Sequence, residues 1–192
     1  WGVWFPRGGT GALVQGMARL FTDLGGELLL NAEVDQLETT GNRISGLQLK
    51  DGRRFPAVAV ASNADVVFTY EQLLRGHPAA SKRAAALKRK RMSNSLFVLY
   101  FGLNHPHSQL AHHTVCFGPR YRELIDEIFN SNQLSDDFSL YLHAPCSSDP
   151  SLAPAGCGSF YVLAPVPHLG TAAINWQQEG PRLRDRIFAY LE

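Results

Sequence analysis

Gly8-Gly9-Thr10-Gly11, Gly25-Gly26-Glu27-Leu28-Leu29-Leu30 and Ala61-Ser62-Asn63-Ala64-Asp65 punctuate one stretch, residues 8–65, whose reading decides the fold. Between the first two markers, Leu13, Met17, Leu20, Phe21 and Leu24 recur at helical spacing, so residues 12–24 are expected to form a helix with one apolar face. Gly25-Gly26 supplies its stop. Glu27 to Leu30 is almost wholly apolar, as in a strand covered on both faces by helices. Val34 to Thr40 and Arg43 to Leu49 then form a hairpin around Gly41-Asn42. The parity of Ile44 disagrees with that of Leu47 and Leu49, which calls for a bulge near Gly46. Asp51-Gly52 turns the chain into a third strand, Arg53 to Val60, that returns to the core over Ala57 to Ala61. Asn63 is placed to cap the next helix, about residues 64–74. Helix, buried strand and three-stranded meander in this order match the middle of a nucleotide-binding α/β domain.

Before this stretch, Trp1 to Phe5 is aromatic and strand-like, ended by Pro6. After it, an Ala-rich helix from about residue 79 carries Lys82, Arg83 and the run Lys88-Arg89-Lys90-Arg91. Strands are expected over Ser95 to Leu103, Val115 to Phe117, Phe138 to His143 and Ser159 to Leu163. Gly118-Pro119 opens a helix bearing Leu124, Ile125, Ile128 and Phe129, Pro145 to Gly158 is a loop, and a last helix begins near Pro181. The fold class is α/β in the mixed α+β sense. Residues 1–70 hold the meander, with 1–6 open to being a strand of the second domain. Residues 71–192 hold a mixed β-sheet with covering helices. Opening on Trp1 and ending inside a helix, the chain is expected to be an internal piece of a larger protein.

Composition excludes several classes. The chain has 192 residues and a formal charge of +1, so no general steering of nucleic acid is implied. Its apolar run Leu96 to Phe101 is far short of the ~20 residues a membrane helix needs. Cys116, Cys146 and Cys157 form no CxxC pair and fit a reduced compartment better than a disulfide framework.

Few residues announce chemistry. Gly8-Gly9-Thr10-Gly11 before a helix suits either a plain turn or a cofactor contact, since it is neither GxGxxG after a strand nor a P-loop. His105, His107, His112 and His113 crowd nine residues beside Cys116, but no HExxH or CxxC anchors them, and no metal site is assigned. Lys88 to Arg91 reads as a solvated helix end or as a surface for anionic lipid; nucleic acid is disfavoured because aromatics do not interleave. Ser93 and Ser95 have no nucleophile elbow, and Asp126-Glu127 and Asp136-Asp137 read as solvated faces.

Five segments carry a family resemblance: Phe5 to Leu13, Gly25 to Val34, Ala61 to Asp65, Ser93 to Leu103 and His112 to Gly118. The chain resembles bacterial phytoene desaturases of the lycopene-forming kind, members of an FAD-dependent, amine-oxidase-like superfamily. The generic pieces are shared with monoamine oxidase relatives; the last two segments are more specific. The resemblance implies an FAD oxidoreductase of carotenoid biosynthesis. Such an enzyme takes hydride and proton from adjacent saturated carbons of phytoene and of its partly desaturated products until lycopene forms. It implies a Rossmann-like FAD domain over 1–70 and a substrate domain over 71–192 whose sheet helps line an apolar tunnel. It also implies a cytoplasmic protein held peripherally at a membrane lipid surface. Val34 matches a position whose backbone contacts the adenine of FAD, with Gly8 and Gly9 as further cofactor candidates. No catalytic residue maps onto the chain. The rival reading is a non-catalytic module that binds apolar ligands or membrane surfaces.

Overall fold

A computed structural model describes residues 2–192, which form two compact units. One unit comprises Phe21–Arg91; the other comprises the residues up to Leu20 together with Met92–Glu192. The breaks between the units fall at 20/21 and 91/92, so the basic helix groups with the meander.

The chain enters without a strand over residues 2–6; Trp1 lies outside the described residues. Gly8 and Gly9 take positive φ (81° and 75°), which lets the first helix, α1, begin at Gly9, three residues ahead of the expected start. It runs Gly9–Asp23 and closes in a Schellman motif. Gly26 N–H donates to Phe21 O, Gly25 N–H donates to Thr22 O, and Gly25 sits at φ 87°. The apolar face forms as expected but is left bare, with Leu13, Met17, Leu20, Phe21 and Leu24 each 50–79% exposed.

In the Phe21–Arg91 unit, β1 (Val34–Thr40), β2 (Arg43–Leu49) and β3 (Arg54–Pro56) make an antiparallel meander in that order. The hairpin bounds are those expected. The bulge falls at Ser45, because Glu38 pairs with Gly46 while Thr39 pairs with Ile44. Gly46 lies so close to β3 that a Cβ there would stand 2.7 Å from Phe55 O. One expected strand is absent and another is cut short. Residues 27–30 pair with nothing, and Leu28, Leu29 and Leu30 stay exposed. The third strand stops at Pro56, whose ring removes a ladder donor, and Val58 is fully solvated. An apolar run becomes a strand only beside another strand, and past the bond from Ala57 N–H to Ser45 O these segments are not laddered to any described strand.

Asp65, not Asn63, caps the next helix, α2 (Val66–Phe68): its Oδ1 accepts Phe68 N–H at 2.9 Å. A π-helical turn over Thr69–Leu73 continues it. Helix α3 (Pro78–Lys88) has Pro at its first position and buries Ala80 and Ala84.

In the other unit, β4 (Ser95–Leu103), β5 (His113–Cys116), β6 (Leu140–His143) and β7 (Gly158–Val166) form a sheet in the order β4-β7-β6-β5. Every pair is antiparallel, so the sheet is not mixed. Helix α4 (Tyr121–Asp126) starts after Arg120 and not at Pro119, and a π-helical turn, Glu127–Ser131, extends it. Helix α5 (Trp176–Leu191) starts five residues before Pro181, because Asn175 Oδ1 accepts Gln177 N–H at 3.2 Å and sets the first turn there. The loop before β7 holds short 3₁₀ turns at Pro145–Ser147 and Pro150–Leu152. Leu140, Leu142, Phe160, Val162, Ala164 and Val166 pack with Leu183 and Ile187 of α5 into the core.

Candidate functional site

Strand alternation sends neighbouring side chains to opposite faces of a sheet. One face of the four-stranded sheet is the core beneath α5. The other carries the residues between: Leu96, Val98 and Tyr100 on β4, Tyr161 and Leu163 on β7, Tyr141 and His143 on β6, His113 and Val115 on β5. It is far less covered, with Leu96, Tyr100 and Val115 at 52%, 78% and 54% exposure.

Register arranges this face in rows. Tyr100 is opposite Tyr161, Tyr161 opposite His143, and His143 opposite His113. Four rings therefore cross all four strands, with centroids 5.6, 4.4 and 5.5 Å apart in turn. The next row is Val98, Leu163, Tyr141 and Val115. A row of rings beside a row of mostly aliphatic side chains suits an extended apolar ligand with π-electrons, fixed by few polar contacts.

The polar contacts cluster at the β5 end. His112 and His143 share an Nε2···Nε2 hydrogen bond of 2.8 Å, His112 Nδ1 meets Ser148 Oγ at 2.6 Å, and His113 Nδ1 meets the Tyr141 hydroxyl at 2.5 Å. Phe5 packs edge-on against His112 and His143 at 4.5 and 5.7 Å. Burial first, then His112 and His113, pull His143 down to about 4. His112 is lowered by burial and by His113. Tyr141 is pushed up to about 12, first by burial and then by the Tyr161 hydroxyl. At neutral pH, therefore, His143 is neutral and Tyr141 keeps its proton.

The histidine-rich loop is divided by the fold. His113 joins the row and His112 bonds to its His143, while His105 and His107 lie tilted against one another with centroids 4.5 Å apart. His143, Tyr141 and Tyr161 were not singled out from sequence; the alternation Leu140-Tyr141-Leu142-His143 was the available signal. The cofactor candidates fall in different units, Val34 at the start of β1 and Gly8 and Gly9 at the start of α1. Gly8 N–H donates to Asp149 Oδ2 at 2.7 Å and Gly9 N–H to Pro6 O at 2.9 Å. Ser151 and the Gly8 amide hold Asp149 below the usual carboxylate range. With both amides engaged and a carboxylate beside them, this turn does not fit the pyrophosphate of a dinucleotide.

Residues 2–163 match the model of the flavin-containing amine oxidoreductases. The chain belongs to that family. Within it, the chain is 75% identical over all 192 residues to the lycopene-forming phytoene desaturase of Pantoea ananas and 73% identical to that of Pseudescherichia vulneris. It is 40% identical to the neurosporene-forming phytoene desaturase of Rhodobacter capsulatus. The chain spans 39% of the length of the first two relatives and 37% of the third. The crystal structure of an oxidoreductase from Methanosarcina mazei shares the fold, with a TM-score of 0.66 at 17% identity over 93% of this chain and 37% of that one. A flavin amine oxidoreductase built on this fold agrees with the expected α/β class.

Proposed function

We propose that the chain is part of an FAD-dependent carotenoid desaturase that converts phytoene to lycopene by successive dehydrogenations. The observation that carries this is 75% identity along the entire chain to a lycopene-forming relative. Phytoene and its partly desaturated products are the proposed substrates. The bare sheet face, with its ring row and aliphatic row, is the proposed wall of their path; it binds and orients the chain of carbons and keeps water away. FAD, when bound, accepts the hydride. The Gly8-Gly9 turn does not offer a seat for the FAD pyrophosphate, because both of its amides are engaged. Val34, Gly8 and Gly9 stand as proposed cofactor contacts. The two glycines are limited to close van der Waals approach, since their amides are engaged. The meander unit is proposed to belong to the FAD domain and the four-stranded sheet to the substrate domain.

The substrate is a hydrocarbon, so a cytoplasmic protein docked peripherally on lipid is part of the proposal. Lys82, Arg83, Lys88, Arg89, Lys90 and Arg91 are exposed on and just after α3, which supports an anionic lipid contact. Lys88 also pairs with Glu71. No helix among the described residues is long and apolar enough to cross a membrane.

The test uses the full-length protein that contains this chain, given phytoene and FAD in liposomes. Visible absorbance should grow stepwise as conjugation lengthens. A protein that binds phytoene without conversion and without flavin would instead support the apolar-ligand module.

A further inference from the structure

His112, His113 and His143 meet where the start of β5 pairs with the end of β6. His112, His113 and His143 each bring one ring nitrogen to within 4.8 Å of the others. His112 and His143 face one another through Nε2 at 2.8 Å. His143 is only 7% exposed, and its Nδ1 is buried without a partner. Its one polar engagement is the His112 nitrogen.

We propose that His112, His113 and His143 form a binding site for a divalent transition metal such as Zn²⁺. Three imidazoles make a recognised donor set for this ion, with Zn–N near 2.0–2.1 Å. Tetrahedral geometry at that bond length separates ligand nitrogens by about 3.3 Å. His112 and His143 therefore open by roughly 0.5 Å, and His113 closes by at most about 1.5 Å. The rings are already steadied: Ser148 Oγ holds His112 Nδ1, Tyr141 holds His113 Nδ1, and Phe5 packs over His112 and His143. Such outer contacts orient metal-binding histidines. His113 is exposed, so the ion has an entry path and a fourth position open to water.

The site would tie edge strand β5 to β6, because its ligands come from the start of the one, the residue before it, and the end of the other. Binding to the folded state alone then raises thermal stability as the ion concentration exceeds its dissociation constant.

The experiment is titration of the metal-free chain with Zn²⁺ by calorimetry, and with Co²⁺ by visible absorption. One equivalent should bind, Co²⁺ should show the intense visible bands of tetrahedral nitrogen coordination, and the melting temperature should rise. His112→Gln and His113→Gln should each weaken binding at least tenfold. A double His105→Gln, His107→Gln variant should bind as the parent does. Because His113 is exposed, its variant keeps the fold and decides the matter should the His112 variant unfold. The proposal is overturned by failure of Zn²⁺ to bind, by binding that survives His113→Gln unchanged, or by binding lost only in the His105, His107 variant.

Discussion

Truncating Ile187 to Ala tests which face of the four-stranded sheet is the core. Ile187 is fully buried between α5 and the sheet, in contact range of a cluster that includes Leu140, Val162 and Leu183. The substitution removes three carbons, about 2.4 kcal/mol of transfer free energy at ~0.8 kcal/mol per buried methylene. A partly collapsed cavity adds to this, so a total loss of about 3–4 kcal/mol is expected. Leu96 has the same aliphatic character on the opposite face but is 52% exposed, so Leu96→Ala should cost less than about 1 kcal/mol. Urea unfolding, followed through Trp176, reads both. That indole stacks on Phe97 with centroids 5.9 Å apart, so its emission reports the covered side of the sheet. Equal losses for the two variants, or a larger loss for Leu96→Ala, would refute the assignment of faces and with it the free wall for substrate.

Three other outcomes follow from the geometry. His143 is held near 4 in the fold against an ordinary 6.5, so between those values the unfolded chain binds the extra proton. Its contribution therefore falls as pH drops from about 6.5 to 4, by up to roughly 3 kcal/mol, and a His143→Gln variant should lose much of that slope; melts at pH 7.5, 5.5 and 4.5 that run parallel in both proteins would contradict it. Gly46→Ala should destabilise the meander by about 1–3 kcal/mol, since its Cβ would stand 2.7 Å from Phe55 O and the backbone must shift; an unchanged urea midpoint would show that the bulge relaxes freely. Replacing Lys88, Arg89, Lys90 and Arg91 of the full-length protein by Gln should reduce its sedimentation with acidic liposomes at low salt and leave little difference at high salt, and equal sedimentation throughout the salt series would assign the run to a solvated helix end.

The elements legible in the sequence are those whose signal is local. The hairpin at Gly41-Asn42, the Gly25-Gly26 stop and β4 need only turn chemistry or alternation and stand where expected, while the Ala-rich α3 starts as expected but ends at Lys88, ahead of Arg89 to Arg91. Residues 27–30 and 57–61 failed for the opposite reason: a buried strand depends on neighbours that its own residues do not encode. The caps failed more narrowly. Asn63 and Asp65 are equally suited to capping, and only the path of the chain sets Asp65 Oδ1 on Phe68 N–H. The ring row was hidden for a related reason. Tyr100, His113, His143 and Tyr161 lie on four separate strands, and only the register β4-β7-β6-β5 aligns them. The Gly8-Gly9 turn read equally as a plain turn or a cofactor contact, and what separates the two is Asp149, 141 residues onward, which occupies its first amide.

The most direct test of the central claim places a charge on the bare face of the full-length protein. Leu96→Asp and Val115→Asp sit at positions 52% and 54% exposed in this chain, so neither should unfold it. Flavin absorbance and circular dichroism should match the parent, while conversion of phytoene in liposomes should fall at least tenfold, because a carboxylate beside a hydrocarbon path must be desolvated when the path fills. Full conversion by both variants, with normal flavin content, would show that the hydrocarbon does not run along this sheet.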